Sequence, residues 1–149
     1  TLMKLFHGTS YANYKSILKD KCIKYLEWHN VNHSNAKTNG LDKYFNYSEA
    51  DIDKISLVDN KITARQFGLY SAMACKKRGE QDNFDFVVLK VDSCTLNDNG
   101  IPTHPVDCLS GYEGLEYIII KQFIPADLIE EVDYIKWMNT KSKSNATSI

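Results

Sequence analysis

Residues 55–77, ISLVDNKITARQFGLYSAMACKK, run from a strand through a turn into the strongest helical pattern of the chain. Residues 55–58 (ISLV) read as a strand. Asp59 or Asn60 then supplies a side-chain oxygen to start a helix over 61–77. Its face carries Ala64, Phe67, Gly68, Ser71, Ala74 and Cys75, a stripe of mainly small residues suited to close packing on a sheet. Lys76, Lys77 and Arg78 give that helix a basic end, which complements its dipole.

Upstream, residues 2–6 form a short apolar strand ending at His7, Gly8, Thr9 and Ser10, where the chain is expected to turn. Thr9 or Ser10 caps a helix in which Tyr14, Ile17 and Leu18 recur at helical spacing, fading near Asp20. Residues 23–26 are expected as a second short strand. The Asn-rich stretch 27–54, with His29 and His33, reads as a long loop with some local helix. Downstream, 84–91 (FDFVVLKV) and 116–123 (EYIIIKQF) read as strands, with turn chemistry over 97–102 between them. A turn or helical step over 124–129 leads to a last strand at 132–137. Strands outnumber helices and lack regular crossovers, so the expected class is α+β and not a doubly wound sheet.

The 149 residues suit one domain, expected over 1–138 with a polar, Ser- and Lys-rich tail at 139–149. With 43% hydrophobic and 25% charged residues, composition is that of a globular protein. Eighteen basic against 19 acidic residues give a net charge of -1 and no global footprint for nucleic acid, which leaves a local basic groove open. No apolar run approaches the roughly 18 residues that span a bilayer, and no signal segment opens the chain, so no membrane partner is expected and a cytoplasmic location is. Thr1 in place of Met suits a processed product or an excised domain. Cys22, Cys75, Cys94 and Cys108 form no C-x-x-C pair and lack finger-spaced histidines, so no metal site is expected. Cys75 reads as a small core residue, and a Cys94–Cys108 bridge is neither required nor forbidden.

Three blocks hold chemistry-bearing residues: Phe6-His7-Gly8-Thr9-Ser10; Ser56 followed by a helix with Phe67 and Tyr70; and Glu116-Tyr117-Ile118, a carboxylate opening a strand. In that order and spacing they resemble the ADP-ribosyltransferase superfamily, in its His–Tyr–Glu branch of diphtheria-toxin and poly(ADP-ribose) polymerase type. The resemblance implies a split antiparallel β-sheet with flanking helices around a central NAD cleft. It also implies NAD as co-substrate without a metal, and a mono-ADP-ribosyltransferase releasing nicotinamide. Glu116, His7 and Tyr70 take the catalytic positions. His7, Gly8, Thr9, Ser10, Ser56, Phe67 and Tyr70 are the expected NAD-binding set. Glu116 would stabilise positive charge on the nicotinamide ribose, and His7 would meet the adenosine-side ribose. Gly8 would offer its backbone to the carboxamide, and Tyr70, or else Phe67, would stack on the ring.

The implied acceptor is a macromolecule, either protein or nucleic acid, and the implied role is a toxin or effector, delivered into a target cell or acting in the cytoplasm, with an antitoxin or immunity protein as a candidate partner. An NAD glycohydrolase, an RNA 2′-phosphotransferase or a degenerate NAD- or ADP-ribose-binding module are the rival readings. Gly114 stands where arginine-specific members carry a second acid, with Glu113 one step further away, so arginine is not the expected acceptor. Each residue also has a plain structural reading: His7 bonded to backbone, Glu116 as a surface strand acid, Tyr70 as core.

Overall fold

The computed structural model describes residues 3–25, 54–106 and 113–137. Eight strands and three helices lie along them. They are β1 (Lys4–Ser10), α1 (Tyr11–Asp20), β2 (Cys22–Ile23), β3 (Lys54–Val58), α2 (Lys61–Lys77), β4 (Phe86–Asp92), α3 (Ser93–Asp98), β5 (His104–Val106), β6 (Glu116–Ile120), β7 (Ile124–Pro125) and β8 (Glu131–Ile135). A single 3₁₀ turn, Ala126–Leu128, follows β7. Six strands form one open sheet in the order β5-β6-β3-β1-β4-β8, and β2 pairs separately with β7. Every pairing is antiparallel. The class is α+β.

Alternation along the strands divides the apolar side chains between two faces. Leu5, Ile55, Leu57, Val87, Leu89, Val91 and Ile119 point to one face, where Tyr14 and Ile17 of α1, Ile23, Leu96, Ile101 and Ile124 close over them. Val58, Phe86 and Val88 point to the other, under Ala64 and Ala72 of α2. Leu57, Leu89 and Ile119 are fully buried, and each such side chain contributes about 1.5–3 kcal/mol by leaving water.

α2 begins and ends where its own chemistry dictates. The Asn60 side chain accepts from the Thr63 N–H at 3.0 Å, and Lys76 and Lys77 occupy the last turn. Its small-residue stripe lies on β1 so closely that a Cβ at Gly8 would stand 1.8 Å from the Ala64 carbonyl oxygen. Only glycine fits there.

Several expectations change. β1 does not turn at His7 but continues to Ser10, because Gly8, Thr9 and Ser10 pair with Val88, Val87 and Phe86 of β4. Ser10 caps α1 through the Asn13 N–H, yet Leu18 is 55% exposed instead of inward. The second strand is Cys22–Ile23, since Ile23 and Cys22 pair with Ile124 and Pro125. The segment 116–123 breaks after Ile120, where Lys121 adopts a positive φ of 54°. α3 and β5 add to the expected elements: Asp92 caps α3 through the Cys94 and Thr95 N–H groups, a signal hidden at the end of an apolar strand. The expected 27–54 loop except Lys54, the tail over 139–149, His29, His33 and Cys108 lie outside the described residues.

Candidate functional site

Ser56 is the meeting point. β3 pairs with β6 from Lys54–Ile120 to Val58–Glu116, so Glu116 opens its strand opposite the end of β3. Ile55 and Leu57 enter the first core, while Val58 belongs to the layer under α2. The pleat therefore puts Ser56 on the α2 side, and Glu116, the neighbour of inward-packed Tyr117, shares that side. The Ser56 hydroxyl donates to the Glu116 carboxylate.

His7 reaches the same residue by another group. Its Nδ1 lies 2.8 Å from the Ser56 carbonyl oxygen. A carbonyl only accepts, so Nδ1 carries the proton and Nε2 of the neutral ring is left as an acceptor. Burial pushes the His7 pKa below its ordinary 6.5, against the smaller opposing effect of the Ser56 bond. By alternation the His7 side chain starts from the face of Leu5, opposite to that of Ser56 and Glu116. The bond to Ser56 thus crosses between strands near the sheet plane.

It can do so because β1 and β3 part. Their register holds one pair, Phe6–Val58, whereas β1 follows β4 from Lys4–Asp92 to Ser10–Phe86. The phase of the ladder says where the backbone points. Tyr11 N–H donates to Asp85 and Ser93 N–H to Met3, so odd-numbered residues of β1 face β4. Phe6, Gly8 and Ser10 then turn their N–H and C=O groups the other way. The Ser10 N–H accordingly meets the Ser71 hydroxyl at 3.0 Å. Gly8 directs its backbone groups into the interval where β1 leaves β3.

The turn before Glu116 is tied to the start of α2. Asp59 Oδ1 accepts from the Leu115 N–H at 2.8 Å, the Asp59 N–H donates to the Leu115 carbonyl at 3.2 Å, and the Thr63 hydroxyl donates to the Glu113 carbonyl at 2.7 Å. Gly114 between them has φ +86°, and a Cβ there would lie 2.3 Å from Asp59 Oδ1. Any side chain at this position is strained by that φ and meets the Asp59 carboxylate.

The remaining residues divide. Thr63, Phe67 and Tyr70 recur along one side of α2, the side that reaches Glu113 through Thr63. Phe67 packs against the Val58 layer, and Tyr70 is half-buried one turn further on. Thr9 and Ser10 are buried: the Thr9 hydroxyl accepts from Asn13 at 3.1 Å, and the Ser10 hydroxyl accepts from the Asn13 N–H and the Cys75 thiol. Both hydroxyls serve the α1–α2 junction. Cys75 is the core residue expected, and burial pushes its thiol pKa up.

Asp59 and Thr63 are parts of the site without a local sequence signal, Asp59 having only a capping expectation. Their partners lie 50 or more residues away, beyond any local pattern. Among the described residues no three His, Cys, Asp or Glu side chains cluster to hold a metal, and no helix is long and apolar enough to cross a membrane. A groove of about 340 Å³ opens elsewhere, between Tyr11, Phe86, Tyr134 and Ile135. His7, Ser56 and Glu116 do not line it. No protein-family model matches the chain, and a search of curated proteins finds no match either.

Proposed function

We propose that the chain is an NAD-dependent mono-ADP-ribosyltransferase, working in the interval where β1 and β3 part. The observation that carries this reading is the convergence of His7 and Glu116 on Ser56 beside the backbone of Gly8. An antiparallel sheet that opens along β1 fits the split sheet implied by the three sequence blocks.

The residues suit the chemistry in kind. The bond to be broken joins nicotinamide to C1 of its ribose. Nicotinamide leaves with the bonding pair, and positive charge develops on the sugar before the acceptor's nucleophile adds to C1 and gives up its proton. A fixed carboxylate is the group that stabilises this charge, in an environment where electrostatic preorganisation is usually the largest catalytic contribution. We assign that role to Glu116, whose carboxylate accepts from the Ser56 hydroxyl. Neutral His7, with Nε2 as an acceptor, suits a ribose hydroxyl better than an imidazolium would. Gly8 offers one N–H and one C=O on the same side of its strand, the complement of a carboxamide. Tyr70 is the candidate ring to cover nicotinamide, since Phe67 is engaged in the core layer. Thr9 and Ser10 support this wall by holding β1 to α1. We take the acceptor to be a macromolecule other than an arginine side chain, since Gly114 stands where arginine-specific members carry a second acid and a side chain there is strained.

Labelled NAD incubated with whole-cell lysate tests the reading, with nuclease-treated and protease-treated halves and a Glu116→Gln control. Label that survives nuclease, disappears with protease and needs Glu116 supports a protein acceptor. The opposite pattern moves the acceptor to nucleic acid. Free ADP-ribose without label transfer replaces the transferase by a glycohydrolase, and no NAD consumption removes the enzyme reading.

A further inference from the structure

We infer that Asp59 is a positioning residue for Glu116: it holds the backbone of Leu115 by both of its polar groups and so aims the carboxylate that follows. The inference rests on the transferase reading for its catalytic consequence, though not for the clamp itself.

Glu116 is the first residue of β6, and the end of a strand frays unless something ties the chain beyond it. Burial does not tie it here. Leu115 is 44% exposed, and Gly114 has no side chain to anchor. The polar ties are specific instead. Leu115 N–H donates to Asp59 Oδ1 at 2.8 Å, and Leu115 C=O accepts from Asp59 N–H at 3.2 Å. A hydrogen bond from a backbone N–H to a carboxylate is charge-assisted and stronger than a neutral one. The same carboxylate lies over Gly114, where a Cβ would stand 2.3 Å from Oδ1, so the turn and the clamp fit only with glycine between them. The Thr63 hydroxyl adds a third tie, to Glu113 at 2.7 Å.

Asp59 itself sits on rigid ground. It joins the last residue of β3, fully buried Val58, to the Asn60 cap of α2, and α2 lies against β1 at Gly8. The carboxylate of Glu116 is thereby referenced to the strand that carries His7 and Gly8. The β3–β6 and β5–β6 ladders both end at Glu116, paired with Val58 and Val106, and the Asp59 clamp carries the tie one residue beyond them.

The test measures NAD turnover by the wild-type chain, Asp59→Ala and Asp59→Asn, together with hydrogen exchange at the Leu115 amide. Asp59→Ala is expected to lower kcat by about 10²-fold, the cost of a misplaced catalytic group, with KM for NAD changed by no more than about threefold. Asp59→Asn keeps an oxygen that accepts the Leu115 N–H, and is expected to retain kcat within about tenfold of wild type. The Leu115 amide should be protected in the wild type and in Asp59→Asn, and exposed in Asp59→Ala. Unchanged kcat in Asp59→Ala, a loss confined to KM, or an Asn variant as impaired as Ala would overturn the proposal. If Asp59→Ala does not fold, a protected Leu115 amide with a near-normal Asn variant supports it, and an unprotected wild-type amide overturns it. A wild-type chain that consumes no NAD overturns the transferase reading, while the Leu115 amide still decides the clamp.

Discussion

The Ser56 hydroxyl reaches the Glu116 carboxylate diagonally, for the register partner of Ser56 is Ile118 and that of Glu116 is Val58. Diagonal neighbours on one face of an antiparallel pair are close enough for such side chains to touch. The same serine receives His7 Nδ1 on its carbonyl. Its side chain and main chain therefore bind two candidate groups whose strands are adjacent to β3 on opposite sides.

Glu116→Gln keeps an oxygen to accept from Ser56 and removes the negative charge. NAD turnover is expected to fall by on the order of 10² to 10³, as for other preorganised electrostatic groups. Thermal stability and NAD affinity by calorimetric titration should stay near wild type. Turnover that persists in this variant would remove Glu116 from the chemistry.

Gly8→Ala should fail structurally, whatever the ligand. Its Cβ would stand 1.8 Å from the Ala64 carbonyl oxygen and 2.7 Å from the Gly68 nitrogen. Both are backbone atoms and neither can swing aside. Destabilisation should exceed the roughly 1–3 kcal/mol typical of overpacking. Urea unfolding measures it, and a stable, folded alanine variant would contradict the close fit of α2 on β1.

Ser10→Ala separates a helix cap from an NAD contact. Losing the cap costs about 1 kcal/mol, and the Cys75 thiol loses its acceptor as well. The chain should unfold at lower urea with an unchanged KM for NAD. A raised KM at normal stability would return Ser10 to the binding wall.

His7 links stability to pH. Burial lowers its pKa from 6.5 in the folded state, so below that value the unfolded chain binds more protons than the folded one. The His7 contribution is complete above pH 6.5, declines as pH falls toward the lowered pKa, and levels off beneath it. Urea unfolding at pH about 7.5, 6 and 5 should show this slope. His7→Gln should flatten it, and an identical slope in that variant would assign the dependence to other groups.

Gly114→Glu would install an acid two residues before Glu116. At φ +86°, and with a Cβ 2.3 Å from Asp59 Oδ1, the new side chain should displace the turn. NAD turnover is expected to drop by about tenfold or more from the misplaced carboxylate, with no transfer to a guanidinium acceptor. Gain of such transfer would show that the turn tolerates an acid.

Much of the local structure was written in short-range chemistry. A cap at Asp59 or Asn60, the small-residue stripe and the basic end marked α2 over Lys61–Lys77, the bounds it has, and the structure puts the cap on Asn60. Thr9 or Ser10 marked the start of α1 for the same reason, and Ser10 is the cap: a side-chain oxygen and the N–H it satisfies are three residues apart. Strand existence was readable from apolar runs at 55–58 and in the 84–91 segment. Strand ends were less so, since Ser10 and Ile120 end their strands according to what stands beside them.

For the candidate site, sequence alone determined which polar residues, His7, Ser56 and Glu116, lie in the three blocks that carry the resemblance. Only the tertiary structure decided that β3 lies between β1 and β6, and hence that both groups meet at Ser56. It also turned the Thr9 and Ser10 hydroxyls inward and brought Asp59 to Leu115, 56 residues away. The physical reason is that caps and helical stripes are satisfied within a few residues. Strand order and register are chosen by which apolar faces can be buried together, and that choice belongs to the whole chain at once.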